Sequence, residues 1–311
     1  MQQGRDNLAP VTSSVLFSPL EVGNVSKNEY KIIKSRDIGF CSGVNRAVKM
    51  TEKALQEGKR VYIAGELIHN PRELKRLQGK GLQMIESLEE AKGGTLIIRS
   101  HGISPGEYNR ATAIGMEIID ATCPYVKKLQ DMASLLNNEG YKIVIIGEAS
   151  HPEVQGIVGY APGAVVISKR EEIEGIKIGT KVGLLIQTTQ KIGLLQEIVS
   201  YILPGTFELK IFNTICNATE KRQKATYKLA REVDIMIVIG GKNSSNTNKL
   251  VSISRDTGVK TYHIETSSEL KDEWFSSVVK IGVTGGASTP TWLIDEIVEK
   301  IEELCQKRLE Q

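Results

Sequence analysis

Cysteine is scarce in this chain, 4 residues in 311, and no two of them form a CxxC pair. Four thiols spread over that length do not make a disulfide framework. No apolar run approaches the ~20 residues that cross a bilayer, so no membrane-spanning helix is expected. Neither sign of charge is in excess. Forty Lys and Arg stand against 37 Asp and Glu, a net +3, too little for a nucleic-acid groove or a polybasic membrane surface. No flavin or nicotinamide fingerprint is present. The longest apolar run in residues 1–30 is "VLF", too short for a signal-peptide core and without a basic stretch ahead of it. A mitochondrial or plastid presequence would be richer in Arg and poorer in acids, and residues 1–30 are read as a disordered extension. With no export signal, the expected compartment is the reducing cytoplasm, where thiols are packed core residues, metal ligands or catalysts.

What the chain does have is alternation. Short runs rich in β-branched residues end at Gly or in polar loops: "VYIAG" (61–65), "LIIRS" (96–100), "IVIIG" (143–147), "VGLLIQ" (182–187), "IMIVIG" (235–240) and "IGVTGG" (281–286). Such runs read as strands buried on both faces of a parallel sheet. Stretches of helical spacing lie between them, as in "VKKLQDMASLLNNEG" (126–140), so the class is α/β.

The alternation repeats. Gly65, Gly147 and Gly240 each stand 24 residues past a cysteine, namely Cys41, Cys123 and Cys216. His69, His151 and Ser244 each stand 28 past the same cysteines. Later in each unit a strand ends in another polar loop: "RSHG", "QTTQ" or "GGAST". A period of about 90 residues is too long for a solenoid and fits three related small α/β domains. The division is 31–122, 123–215 and 216–311, with the first strand and the Cys41 loop free to pack with the third domain. Three such domains pack most simply about a pseudo-threefold axis, a trefoil, and cysteines facing that axis would converge.

Each of these cysteines opens a helix, whose N-terminus favours thiolate. Three thiolates at one point need a cation. A zinc ion and an iron–sulfur cluster both remain open, although zinc usually brings a CxxC pair or a near-by His ligand. A cubane cluster normally takes four cysteines, and three would leave one iron free. Cys305 falls on the apolar stripe of Ile294, Ile297, Ile301 and Leu304 and is read as a packed thiol.

Ligands of open α/β sheets bind beyond the carboxyl ends of the strands. The loops there carry His69, Asn70, His101, His151, Glu153, Thr188, Ser244, Ser245, Asn246 and Ser288. These are mostly neutral hydrogen-bonding groups, several of them just ahead of helices, which suits a small anion such as a diphosphate. Arg and Lys clamps are not prominent, so protonated histidines and helix termini are expected to supply the positive potential. His263 breaks the pattern and is read as structural. Glu153 is the one acid next to the ring. It is either a proton donor with a raised pKa or a first-turn helical Glu after Pro152.

Together, "GFCSGVNRA", "IHNP", "SHGIS", "DATCP", "ASHPEV", "QTTQ", "KNSSNTNKL" and "GVTGGASTP" closely resemble the 4-hydroxy-3-methylbut-2-enyl diphosphate reductases, from about residue 31 to the C-terminus and in the family's order. The resemblance implies a three-domain trefoil. It implies a [4Fe–4S] cluster, one per chain, on Cys41, Cys123 and Cys216, whose fourth iron meets the substrate hydroxyl. His69, His101, Ser244, Asn246 and Ser288 would grip the diphosphate, with Ser245 and His151 lining the pocket. Glu153 would be the proton donor and Thr188 would orient it. The products would be isopentenyl and dimethylallyl diphosphates, the last step of the methylerythritol phosphate route. Electrons would come from reduced ferredoxin or flavodoxin, and a monomer is expected. Residues 1–30 have no counterpart in the family, and no RNA-binding module follows the third domain. The rival readings are a cluster-bearing redox sensor without turnover and a zinc-dependent phosphate hydrolase.

Overall fold

A computed structural model describes residues 30–309 apart from 92 and 178; the expectation for residues 1–29 lies outside the described residues. The first unit runs β1 (Lys31–Lys34), α1 (Ser42–Gln56), β2 (Val61–Ala64), α2 (Pro71–Gly79), β3 (Gln83–Ile85), β4 (Thr95–Ile98), α3 (Pro105–Ala113) and β5 (Glu117–Asp120). The second runs α4 (Pro124–Asn138), β6 (Lys142–Ile146), α5 (Pro152–Val158), β7 (Val165–Ile167), β8 (Lys181–Ile186), α6 (Ile192–Ile202) and β9 (Glu208–Phe212). The third runs α7 (Asn217–Ala230), β10 (Ile235–Ile239), α8 (Ser245–Asp256), β11 (Lys260–Ile264), β12 (Lys280–Gly285) and α9 (Thr291–Leu309).

The strands form three four-stranded sheets, β3-β2-β4-β5, β7-β6-β8-β9 and β11-β10-β12-β1. Every pairing is parallel. The order is the same in all three once the cyclic offset is seen: one edge strand of each sheet, β5, β9 or β1, leads to a cysteine. In the third sheet β1 fills that place, from Lys31 opposite Lys280 to Lys34 opposite Val283. The first strand therefore packs with the last unit.

The pairs β2/β4, β6/β8 and β10/β12 are the sheet centres and correspond to the six runs read from the sequence. Helices cover both faces, so these strands carry apolar side chains at successive positions. Ile143 to Ile146 and Ile235 to Ile239 are all buried. The edge strands escape that reading because they are half wet and mixed in composition, as in "EIID" of β5 and "ELKIF" of β9.

Each helix that follows a cysteine lays its apolar stripe on its own sheet. Val44, Ala47, Val48 and Ala54 of α1 pack on Val61 and Ile63. Leu129, Ala133 and Leu136 of α4 pack on Ile143 and Ile145. Each fully buried Leu or Ile contributes roughly 1.5–3 kcal/mol. Leu293, Ile294, Ile297, Ile301 and Cys305 of α9 share one core cluster with Ile281 and Val283, so the Cys305 thiol is packed as expected. No helix among the described residues is long and apolar enough to cross a membrane.

Candidate active site

The loops after β2, β4, β6, β8, β10 and β12 line one cavity, and Cys41, Cys123 and Cys216 line it with them. The three thiols occupy equivalent places, although only the Cys41 and Cys216 sulfurs cap their helices by accepting a backbone N–H. Each cysteine is the N-cap of its helix, α1, α4 or α7. Each backbone N–H donates to the loop after a central strand: Cys41 to Ala287 O at 3.0 Å, Cys123 to Ser100 O at 3.0 Å, and Cys216 to Thr188 O at 3.1 Å. The Cys41 sulfur accepts from the Val44 N–H at 3.4 Å and the Cys216 sulfur from the Thr219 N–H at 3.3 Å. Gly43 must be glycine here, because a Cβ would sit 2.6 Å from the Cys123 sulfur.

Helix N-termini alone favour thiolate, which is the expectation above. Burial outweighs them: it pushes the Cys123 thiol up to about 11 and raises Cys41 as well. A cation among the sulfurs is what would restore the thiolate form.

His69, His101 and His151 form the second tier, with ring centroids 4.4, 5.2 and 5.4 Å apart. Their ligating nitrogens all lie within 4.8 Å of one another. The ring nitrogens are not alike. His69 Nδ1 meets the Glu66 carboxylate at 2.9 Å. His151 Nδ1 accepts from the Glu153 N–H at 3.1 Å, so in the neutral ring the proton is on Nε2. His69 Nε2, His101 Nδ1 and both amide atoms of Asn246 are buried with no hydrogen-bond partner. Each such group costs about 1–3 kcal/mol if left unpaired, so the cavity is shaped for a polar ligand.

His101 and His151 are not the protonated pair that the sequence suggested. Burial and the neighbouring imidazole charge hold His101 well below its usual value and His151 at about 4. Cations also stand nearer than expected. Arg99 lies close enough for its charge to act on both rings, and Lys249 pairs with Glu148 at 2.9 Å.

Glu153 is 2% exposed, at the start of α5. Its carboxylate accepts from the Thr188 N–H at 2.7 Å and the Thr188 hydroxyl at 2.8 Å. Burial lifts its pKa to about 7 against those two bonds. A carboxyl with its pKa near 7 is set to exchange a proton near neutral pH. It is not the only acid near the ring, since Glu66 holds His69 and Glu148 holds the Ser245 hydroxyl at 2.9 Å. The repeat already carried that signal: "GELIH" and "GEASH" share a Glu three places before the His.

Ser244 caps α8, and Ser245 and Asn246 are buried in its first turn. The Ser288 hydroxyl donates to His69 O at 3.0 Å. Asn70, grouped with the ring on sequence grounds, does other work. Its side chain caps α2 by accepting from the Glu73 N–H at 3.0 Å. His263 bonds the Gly240 carbonyl at 2.9 Å, a structural contact as expected.

Three thiols, three imidazoles and one buried acid line a single cavity of this α/β fold. The model of the LytB protein family matches residues 32–302, and the chain belongs to that family. The 4-hydroxy-3-methylbut-2-enyl diphosphate reductase of Geobacter sulfurreducens is 45% identical over 279 residues, 89% of this chain and 99% of that one. That of Aquifex aeolicus is 44% identical over 283 residues, 89% of this chain and 98% of that one. A solved structure of (E)-4-hydroxy-3-methyl-but-2-enyl diphosphate reductase, the terminal enzyme of the non-mevalonate pathway, is 45% identical. It covers 88% of this chain and 99% of its own, with a TM-score of 0.66. The structure of the E-1-hydroxy-2-methyl-but-2-enyl-4-diphosphate reductase from Plasmodium falciparum is 30% identical over 87% of each chain, with a TM-score of 0.83.

Proposed function

We propose that the chain reduces (E)-4-hydroxy-3-methylbut-2-enyl diphosphate to isopentenyl and dimethylallyl diphosphates at a [4Fe–4S] cluster held by Cys41, Cys123 and Cys216. Two electrons and two protons enter, and the hydroxyl leaves as water. The observation that carries the reading is the pairing of the three thiols with unpartnered buried polar atoms, His69 Nε2, His101 Nδ1 and the Asn246 amide, on the same cavity.

The donor set fits the cluster better than a single ion. Ligands of one tetrahedral zinc at ~2.3 Å bonds sit only about 3.8 Å apart. Among the described residues, the group with ligating atoms within 4.8 Å is the imidazole trio, not the thiol trio. Cys305 is buried in a separate core, which leaves one iron without a protein ligand. When bound, the cluster supplies electrons one at a time and a Lewis-acidic corner for the substrate hydroxyl.

The chain's own residues do the rest. The diphosphate lies against His69, His101, Ser244, Asn246 and Ser288, with Ser245 and His151 beside it and the N-terminus of α8 facing it. Neutral His101 and His151 take up charge only when the anion arrives, so the empty cavity does not hold a repelling cluster of imidazolium. Glu153 gives the departing hydroxyl a proton, and Thr188 holds the carboxyl on target through two hydrogen bonds. Reduced ferredoxin or flavodoxin supplies electrons. The enzyme acts as a cytoplasmic monomer of three domains, 31–122, 123–215 and 216–311.

Anaerobic purification and assay with a chemical reductant test this. The expected protein is brown, holds about four irons, forms both products and bleaches in oxygen. Colourless protein that releases phosphate in air would establish a zinc hydrolase instead. Brown protein without turnover would establish a sensor.

A further inference from the structure

Arg222 lies on α7, six residues past Cys216, and is 4% exposed. Among the described residues, no carboxylate bonds its guanidinium. One Nη donates to Asp37 O at 2.7 Å and Gly285 O at 3.2 Å, and the other to Gly39 O at 2.6 Å. Asp37 and Gly39 belong to the loop that delivers Cys41, while Gly285 ends β12. The fork therefore ties the helix headed by one thiol to the loop that carries another. Its Nε–H is buried with no acceptor. Arg46, five past Cys41 on α1, makes the corresponding link to the Cys123 loop through Thr122 O at 3.0 Å and Asp120 O at 3.2 Å, but it is exposed to water.

A buried guanidinium solvated only by carbonyls is costly until anions stand near it. Arg222 feels the charge of Cys41, Asp37 and Cys216, the cysteines when they are thiolates, and Arg222 and Cys41 line one cleft. On the cluster reading above, we infer that Arg222 is a positioning residue for the metal centre. It sets Cys41 against Cys216 and, as a fixed cation beside both sulfurs, favours the centre's more negative, reduced state. Arginine stays protonated at all working pH values, so the bias is permanent.

The test is an anaerobic redox titration of iron-loaded enzyme, with iron content measured alongside. Arg222→Gln should lower the equilibrium constant for one-electron reduction at least tenfold, which is about 59 mV toward negative potential. Arg222→Lys keeps the charge without the three-carbonyl fork. It should recover the potential to within threefold while holding less iron than wild type. Asp37→Asn removes an opposing anion and should move the potential the other way, which keeps the test sound if Arg222→Gln does not fold. If Asp37→Asn, together with Arg222→Gln where it folds, titrates at the wild-type potential, the inference is overturned, and any iron loss is then structural. Wild-type protein that binds no iron would instead overturn the cluster reading on which this rests.

Discussion

Replacing Glu153 with Gln keeps the side chain's size and an acceptor for the Thr188 N–H, but removes the proton. The size of the effect follows from the site. Burial moves the carboxyl from 4.5 to about 7, roughly 2.5 units or ~3 kcal/mol of preference for the protonated form. Glu153 is therefore about 90% protonated at pH 6 and about 10% at pH 8. Turnover that needs this proton should fall through a limb centred near pH 7. The Gln variant should lose ~10²–10⁴ in rate and the limb with it, while iron content and diphosphate affinity stay near wild type. Stability carries the same sign. Between pH 4.5 and 7 the folded chain binds more protons than the unfolded chain, so stability falls as pH rises across that window, by ~3 kcal/mol in total. The variant should lack that dependence. The assay is anaerobic turnover with a chemical reductant from pH 6 to 8.5, with difference infrared spectra to follow the carboxyl. A flat wild-type profile, or a Gln variant within tenfold of wild type at pH 6, would refute the assignment.

Thr188→Val keeps the backbone N–H bond to Glu153 but deletes the hydroxyl bond at 2.8 Å; the carboxylate loses support, and the limb should move about one unit above pH 7. Ser at position 41, 123 or 216 should each cost the bound iron, measured by metal analysis, whereas Cys305→Ser should keep it and cost only ~1–3 kcal/mol for a buried hydroxyl. Asn70→Ala should lower stability by about 1 kcal/mol through the lost α2 cap, measured as an anaerobic denaturation midpoint, with KM unchanged.

The six central strands were legible because a strand covered on both faces must be apolar at every position. Of the six edge strands only the first, β1, was anticipated, because partial exposure lets their composition approach that of loops. Glu66, Glu148, Arg99 and Lys249 went unread for a different reason. A charged residue beside a loop looks solvated until the fold shows which way it turns. Asn70 was misplaced because an N-cap and a ligand contact use the same residue type at the same place.

The sequence by itself determined the threefold repeat and the trio of thiols at helix starts, because a spacing of 24 residues from cysteine to strand end is a property of the chain alone. Only the tertiary structure decided how the ring closes, with β1 completing the sheet of β10–β12, and which charges survive inside it. Burial is a property of the assembled units, and it outweighs the helix termini at Cys41 and Cys123, keeps His101 and His151 neutral, and lifts Glu153 to the pH at which it can give up a proton.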